Sequence, residues 1–158
     1  DEAYEQACRD AAGLPADDMS YFAQMQRGNA LSHRTWLQLN EKRHRMRLAW
    51  DAFFEEYDLM LCPVAVTAAF PHDQAGLRHK RTIVVNNRKV PVVDQIFWAG
   101  YAGVTLLPAT AAPIGLTTEG LAVGVQIIGR QYGDYECIRY ARLLEKEYRS
   151  FEPPPAYR

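Results

Sequence analysis

The sequence predicts an α/β fold, a mixed β-sheet covered by helices, on three observations. Apolar residues recur at helical spacing through the first third of the chain. Two nearly chargeless runs, Thr105 to Ile114 and Leu121 to Ile128, are rich in Val, Ile, Leu, Ala and Thr and read as strands buried on both faces. A further helical pattern follows them from Asp134. Helices first, then strands with a helix between and a helix after, is the order of a sheet packed against helical layers. With 158 residues, 48% of them apolar, the chain fits a single domain, 1–158, with a core of its own.

Residues 1–31 form a helical lead-in. Tyr4, Cys8 and Ala11 or Ala12 recur at helical spacing until Gly13-Leu14-Pro15 interrupts them. Asp17 or Asp18 then caps a second helix with Tyr21, Phe22 and Met25 on its face, and Gly28-Asn29 closes it. A long helix, 32–57, follows, with Ser32 as N-cap and Trp36, Leu39, Met46, Trp50, Phe53 and Tyr57 on one side. Its basic stretch from Asn40 to Arg47 has Glu41, Asp51, Glu55 and Glu56 close by and no interleaved aromatic residues, which makes it a solvated face.

Asp58 ends that helix, and Leu59 to Cys62 enter the sheet before Pro63 stops the ladder. From Val64 to Arg81 periodicity is lost, the mark of a surface loop. Residues 82–93 read as a β-hairpin arm turning at Asn86-Asn87, since asparagine tolerates left-handed backbone. Asp94 caps a short helix through Tyr101 that feeds the central strands, placed within 97–129 and joined antiparallel by Gly115 to Gly120. The C-terminal helix, 134–149, starts at Asp134 and turns Ile138, Ala141, Leu144 and Tyr148 inward. Glu152-Pro153-Pro154-Pro155 ends regular structure.

A formal net charge of −1 gives no global pull toward nucleic acid or anionic lipid, so neither is expected as a partner. Three widely spaced cysteines, Cys8, Cys62 and Cys137, argue for a reducing compartment, and the cytoplasm is the expected location. The first residues, DEAYEQACRD, carry no apolar leader core. They open inside a helical pattern, so further chain upstream is expected. No phosphate-binding glycine spacing occurs and no cofactor is expected. His72, Asp73 and His79 lack ligand spacing, which argues against a metal site, and Cys62 in its apolar run reads as a buried inert thiol.

Pro108-Ala109-Thr110-Ala111-Ala112-Pro113-Ile114-Gly115, followed by Gly120-Leu121-Ala122-Val123-Gly124-Val125-Gln126-Ile127-Ile128-Gly129, resembles the closing segment of the amidase signature family. That family's form is a Pro-Ala step, Pro-x-Gly, a short loop and G-L-P-V-G-V-Q-hydrophobic-hydrophobic-G, and order and spacing are kept. Two positions depart. Leu106 stands where the family places a glycine, and Ala122 replaces a proline. Both departures are expected to relax the backbone without touching chemistry. The likeness runs from about Ser32 to Tyr148 and implies the C-terminal part of an α/β/α sandwich, the last third of such an enzyme.

The resemblance also implies amide-bond hydrolysis by a Ser-Ser-Lys arrangement beside a Gly-rich oxyanion loop, all parts being required together. Ser20, Ser32 and Ser150 lack the Gly-Ser-Ser-Gly surroundings, and Lys42, Lys80, Lys89 and Lys146 sit in polar segments. No catalytic residue is therefore assigned to this chain, which is expected to be inactive alone and to meet a small-molecule amide only together with an N-terminal part. Phe97, Trp98 and Tyr101 are the candidate wall of the acyl pocket, favouring an apolar or aryl acyl group. The family's ammonia-supplying member for tRNA-linked glutamate fits less well, its substrate being polar. Gln126 is a candidate polar contact, to substrate or, the favoured reading, to neighbouring backbone. The alternative function is a non-catalytic domain acting through an exposed apolar sheet face. A bare edge and face of these strands would pair with another copy, so a homo-oligomer is expected.

Overall fold

The computed structural model describes residues 2–153. Helices α1 (Glu2–Ala12) and α2 (Tyr21–Asn29) form the lead-in. Ser20, not an aspartate, caps α2, its Oγ accepting the N–H of Ala23 at 3.2 Å. Asp18 works one step earlier: its carboxylate accepts the N–H of Ser20 at 2.8 Å, and this bond holds the Asp18 carboxyl below its usual range. Gly28 lies inside α2, and Ala30, at φ −94°, ends it in place of the expected glycine cap.

Helix α3 (His33–Glu56) starts where Ser32 Oγ accepts the N–H of Thr35 at 3.1 Å. Its apolar stripe is only partly used. Trp50 and Phe54 pack on the core, whereas Trp36, Leu39 and Met46 remain 48%, 44% and 47% exposed. The expectation of one continuous core-facing side is thereby corrected: just the last turns of α3 reach the sheet.

Strand β1 (Leu59–Pro63) is followed by an irregular stretch with a 3₁₀ turn at Arg78–Lys80. Arg81 organises the tip of that stretch, its guanidinium donating to the carbonyls of Asp73, Gln74, Ala75 and Gly76 at 2.8 to 3.1 Å. Strands β2 (Thr82–Val85) and β3 (Arg88–Pro91) form the hairpin, with Asn86 and Asn87 at φ 49° and 62° as a two-residue primed turn requires. A second 3₁₀ turn, Val92–Ile96, leads into α4 (Phe97–Thr105), then β4 (Ala109–Leu116), β5 (Ala122–Gly129) and α5 (Asp134–Glu147).

Several boundaries differ from the sequence reading. Residues 97–105 are helix, and Thr105 is not the first strand residue but the buried end of α4, its Oγ1 donating to the Tyr101 carbonyl at 2.5 Å. Asp94 lies in the 3₁₀ turn and makes no side-chain cap to α4. Gly133 is the N-cap residue of α5, with Asp134 as its first helical residue. Ala141 and Leu144 of α5 face the core as expected, joined there by Cys137 and Tyr140, whereas Ile138 and Tyr148, also expected inward, are exposed. Of the proline tail, Pro154 and Pro155 lie outside the described residues.

Leu106 adopts φ 60°, ψ 36°, the left-handed conformation in which a side chain costs free energy that glycine does not. The expectation that this departure relaxes the backbone is corrected: the leucine strains it. Because the side chain is 54% exposed, Leu106→Gly is expected to stabilise the fold by about 1 kcal/mol, read as a rise in the urea midpoint at unchanged m.

The sheet runs β1-β5-β4, with both ladders antiparallel and β5 central. Residues directly opposite share a face, so Met60 and Ile128, and Cys62, Gln126 and Ala111, point one way. There Cys62 and Ile128 pack with Ala102 and Leu107, joined by Trp50 and Phe54 of α3. On the other face Ala112 and Ile127 pack with Cys137, joined by Tyr140, Ala141 and Leu144 of α5. The result is an α/β class fold in three layers. Burial on both faces holds for Gln126 to Gly129, whereas β4, an edge strand, is mostly half-exposed or exposed.

Candidate functional site

Two surfaces carry the candidate residues. The first is the aromatic cluster at the start of α4. Phe97 meets Trp98 and Tyr101 edge-on, with centroids 5.2 and 5.7 Å apart, and Trp98 stacks on Tyr101 at 5.8 Å. Trp50 adds an edge contact to Tyr101 at 6.2 Å, tying α3 to the cluster. Trp98 and Tyr101 lean on the core, while Phe97 is 57% exposed. The three predicted residues therefore stand together, with the Phe97 side chain partly open to solvent.

Gln126 lies beneath this cluster. From the central strand its Nε2 donates to the Trp98 carbonyl at 3.1 Å and to Cys62 Sγ at 3.2 Å. The side chain thus joins β5, β1 and α4 from a buried position. That is the structural role favoured on sequence grounds, and it consumes both amide hydrogens.

The second surface was not legible as a site. A concavity of about 600 Å³ lies between the segment Pro63 to Ala69 and the ends of β4 and β5, floored by Ala111, Pro113 and Gly124. Gln95 holds the segment in place, its Oε1 accepting the N–H of Val66 at 3.1 Å and its Nε2 donating to Thr67 Oγ1 at 2.8 Å. Gly124 lets the strands and the segment approach closely there, since a Cβ would stand 3.3 Å from the Ala112 carbonyl and 3.4 Å from Val64 Cγ2. The available signal was compositional: PVAVTAA is an apolar run inside an otherwise polar loop.

The nucleophile candidates are all accounted for. Ser20 and Ser32 are N-caps, and Ser150 is exposed. Lys42, Lys80, Lys89 and Lys146 are exposed, with Lys146 paired to Glu147 at 2.8 Å. Cys62 is buried against Gln126, and burial pushes the Cys137 thiol up, helped by Asp134 and Glu136. His79 stacks on Phe22 at 4.5 Å rather than facing Cys62. Among the described residues, no three His, Cys, Asp or Glu side chains gather closely enough to hold a metal ion, and no helix is long and apolar enough to cross a membrane.

The family model for amidases matches residues 17–138. The A-type component of the mouse mitochondrial glutamyl-tRNA(Gln) amidotransferase is 31% identical over 97 residues, covering 61% of this chain and 17% of that protein. An indoleacetamide hydrolase of Bradyrhizobium diazoefficiens is 28% identical over 125 residues, 75% of this chain and 21% of its own length. The crystal structure of the corresponding glutamyl-tRNA(Gln) amidotransferase component from Thermotoga maritima superimposes with a TM-score of 0.57 at 22% identity, over 96% of this chain and 32% of that one. The chain thus spans about a fifth of the two curated relatives' length.

Proposed function

The chain belongs to the amidase family, and from that premise we propose that it is the C-terminal segment of an amidase-signature hydrolase that cleaves carboxylic amide bonds. It supplies the three-stranded core and its helices, and Phe97, Trp98 and Tyr101 form one wall of the acyl pocket. The catalytic Ser-Ser-Lys residues are provided by polypeptide outside this chain. The carrying observation is the family match over residues 17–138 of a chain whose serine hydroxyls are committed to caps or open to solvent and whose lysines are exposed. A lysine in water is protonated and cannot serve as the base that the arrangement needs.

The aryl preference draws support from the exposed ring of Phe97 and from the name of the indoleacetamide hydrolase among the relatives. The test is turnover by the purified chain on a panel of fluorogenic aryl and alkyl amides and esters. None is expected. Turnover that disappears in the double variant Ser20→Ala, Cys62→Ala would place a nucleophile in this chain and defeat the reading.

A further inference from the structure

The chain between β1 and the hairpin hangs from two fixed ends. At one end Pro63 pairs with Val125 in the sheet. At the other the Arg81 guanidinium pins the carbonyls of Asp73, Gln74, Ala75 and Gly76. Between these ends, Ala65 to His72 make no backbone–backbone hydrogen bond among the described residues, none of them is buried, and none joins either core cluster. One hydrogen-bonding side chain, among the described residues, ties this span to the body of the chain. Gln95 Oε1 accepts the N–H of Val66 at 3.1 Å, and its Nε2 donates to Thr67 Oγ1 at 2.8 Å. The bond from Thr67 Oγ1 to the Ala68 carbonyl stays inside the span. Gln95 shares its 3₁₀ turn with buried Val93, and that turn is fixed to the start of the hairpin by the Val92 N–H donating to the Arg81 carbonyl at 3.0 Å.

Thr67, Ala68 and Ala69 stand between two spaces. One is the concavity of about 600 Å³ floored by Ala111, Pro113 and Gly124. The other, of about 540 Å³, is bordered by Thr82, Val84 and Lys89 of the hairpin and by Leu121. A span tied by one side chain, with room on both sides, can swing without breaking a ladder or opening the core, so its motion is a local opening set by the bonds to Gln95. We propose that Ala65 to Pro71 is a movable strap latched by Gln95, and that the latch sets the width of the concavity over β4 and β5. Latched, the strap holds the wall seen here; released, it widens one space at the expense of the other. The small side chains of Ala65, Ala68 and Ala69 offer little bulk to obstruct that movement. Gln95 is a positioning residue, acting through the strap. With each bond contributing about a factor of ten, the released form is on the order of one molecule in a hundred. The device follows from contacts within this chain and stands whether or not the chain serves an amidase.

The test is NMR on the whole chain with no ligand added. In the parent, Ala65 to Ala69 should share one relaxation-dispersion process, and the Val66 amide should exchange its hydrogen about a hundredfold more slowly than in an open segment. Gln95→Ala should remove that protection while the amides of Ile127 and Ile128, fully buried in the central strand, exchange as before. Thr67→Val is the milder cut: it keeps the bond to Val66 and gives up the other, for about a tenfold rise in Val66 exchange. The amide shifts of Gly124 and Val84, on the two borders, should move with the released population. Unchanged protection of Val66 in both variants would overturn the latch. A parallel loss at Ile127 and Ile128 would overturn it too, by making Gln95 part of the global fold. So would shift changes confined to Val66 and Thr67, since the strap would then stay in place after its bonds are cut.

Discussion

Replacing Gly129 by alanine is expected to destabilise the chain by about 3 kcal/mol, at the upper end of what one methyl costs in a packed interior. Gly129 is the buried last residue of β5, and a Cβ built there would stand 2.6 Å from Cys137 Sγ and 3.2 Å from the Gly133 carbonyl. Neither neighbour has room. Cys137 is fully buried in the first turns of α5, and Gly133 is held by its N–H to the Arg130 carbonyl at 2.8 Å. The glycine is thus the point where the strand touches the helix that covers its far face. Moving α5 outward would open the packing of Ile127 and Ala112 beneath it. Urea unfolding followed by far-UV dichroism checks the value. In a Cys137→Ala background the added cost should fall by roughly half, since the sulfur is the nearer of the two obstacles and the carbonyl remains. A cost below about 1 kcal/mol in the parent would mean that this contact is not tight.

The same contact shows what could be read from the sequence and what could not. The closing G-V-Q-I-I-G order marked a strand and its end, but that Gly129 is needed for a sulfur on a later helix is a long-range fact with no local signal. Where local chemistry decides, reading succeeded. Asn86-Asn87 takes two left-handed residues because asparagine can, and Ser32 caps α3 because its hydroxyl reaches Thr35. Where two patterns share one composition, reading failed. The stretch before Leu107 is equally apolar as strand or helix, and the end of α4 is fixed by left-handed Leu106, a conformation that leucine does not advertise. The apolar stripe of α3 was visible, yet how far the sheet would cover it was not, because coverage depends on where α4 crosses. Of the candidate residues, the aromatic trio does lie together in space, as neighbours within one helix must, while the concavity under Pro63 to Ala69 was passed over as loop because its order comes from Gln95, some thirty residues downstream.

Gln126 separates a residue that builds the site from one that touches substrate. Its amide ties β5 to Cys62 of β1 and to the carbonyl of Trp98, so the position of the aromatic cluster depends on it in the chain by itself. Gln126→Ala removes both bonds and leaves a void beneath Trp98, for an expected loss of about 3 kcal/mol. Gln126→Met keeps the volume and gives up only the bonds, for about 1 kcal/mol. Paired urea melts give this difference. Trp98 emission gives a second, independent reading once the Trp36→Phe and Trp50→Phe background has left it the only indole. In that background both variants should shift the emission, because the carbonyl tie is lost in each, whereas a void alone would shift only the alanine variant. A residue reserved for substrate would behave otherwise: neither variant would change the melt or the emission. That outcome would detach Gln126 from the fold and return it to the pocket as a ligand contact.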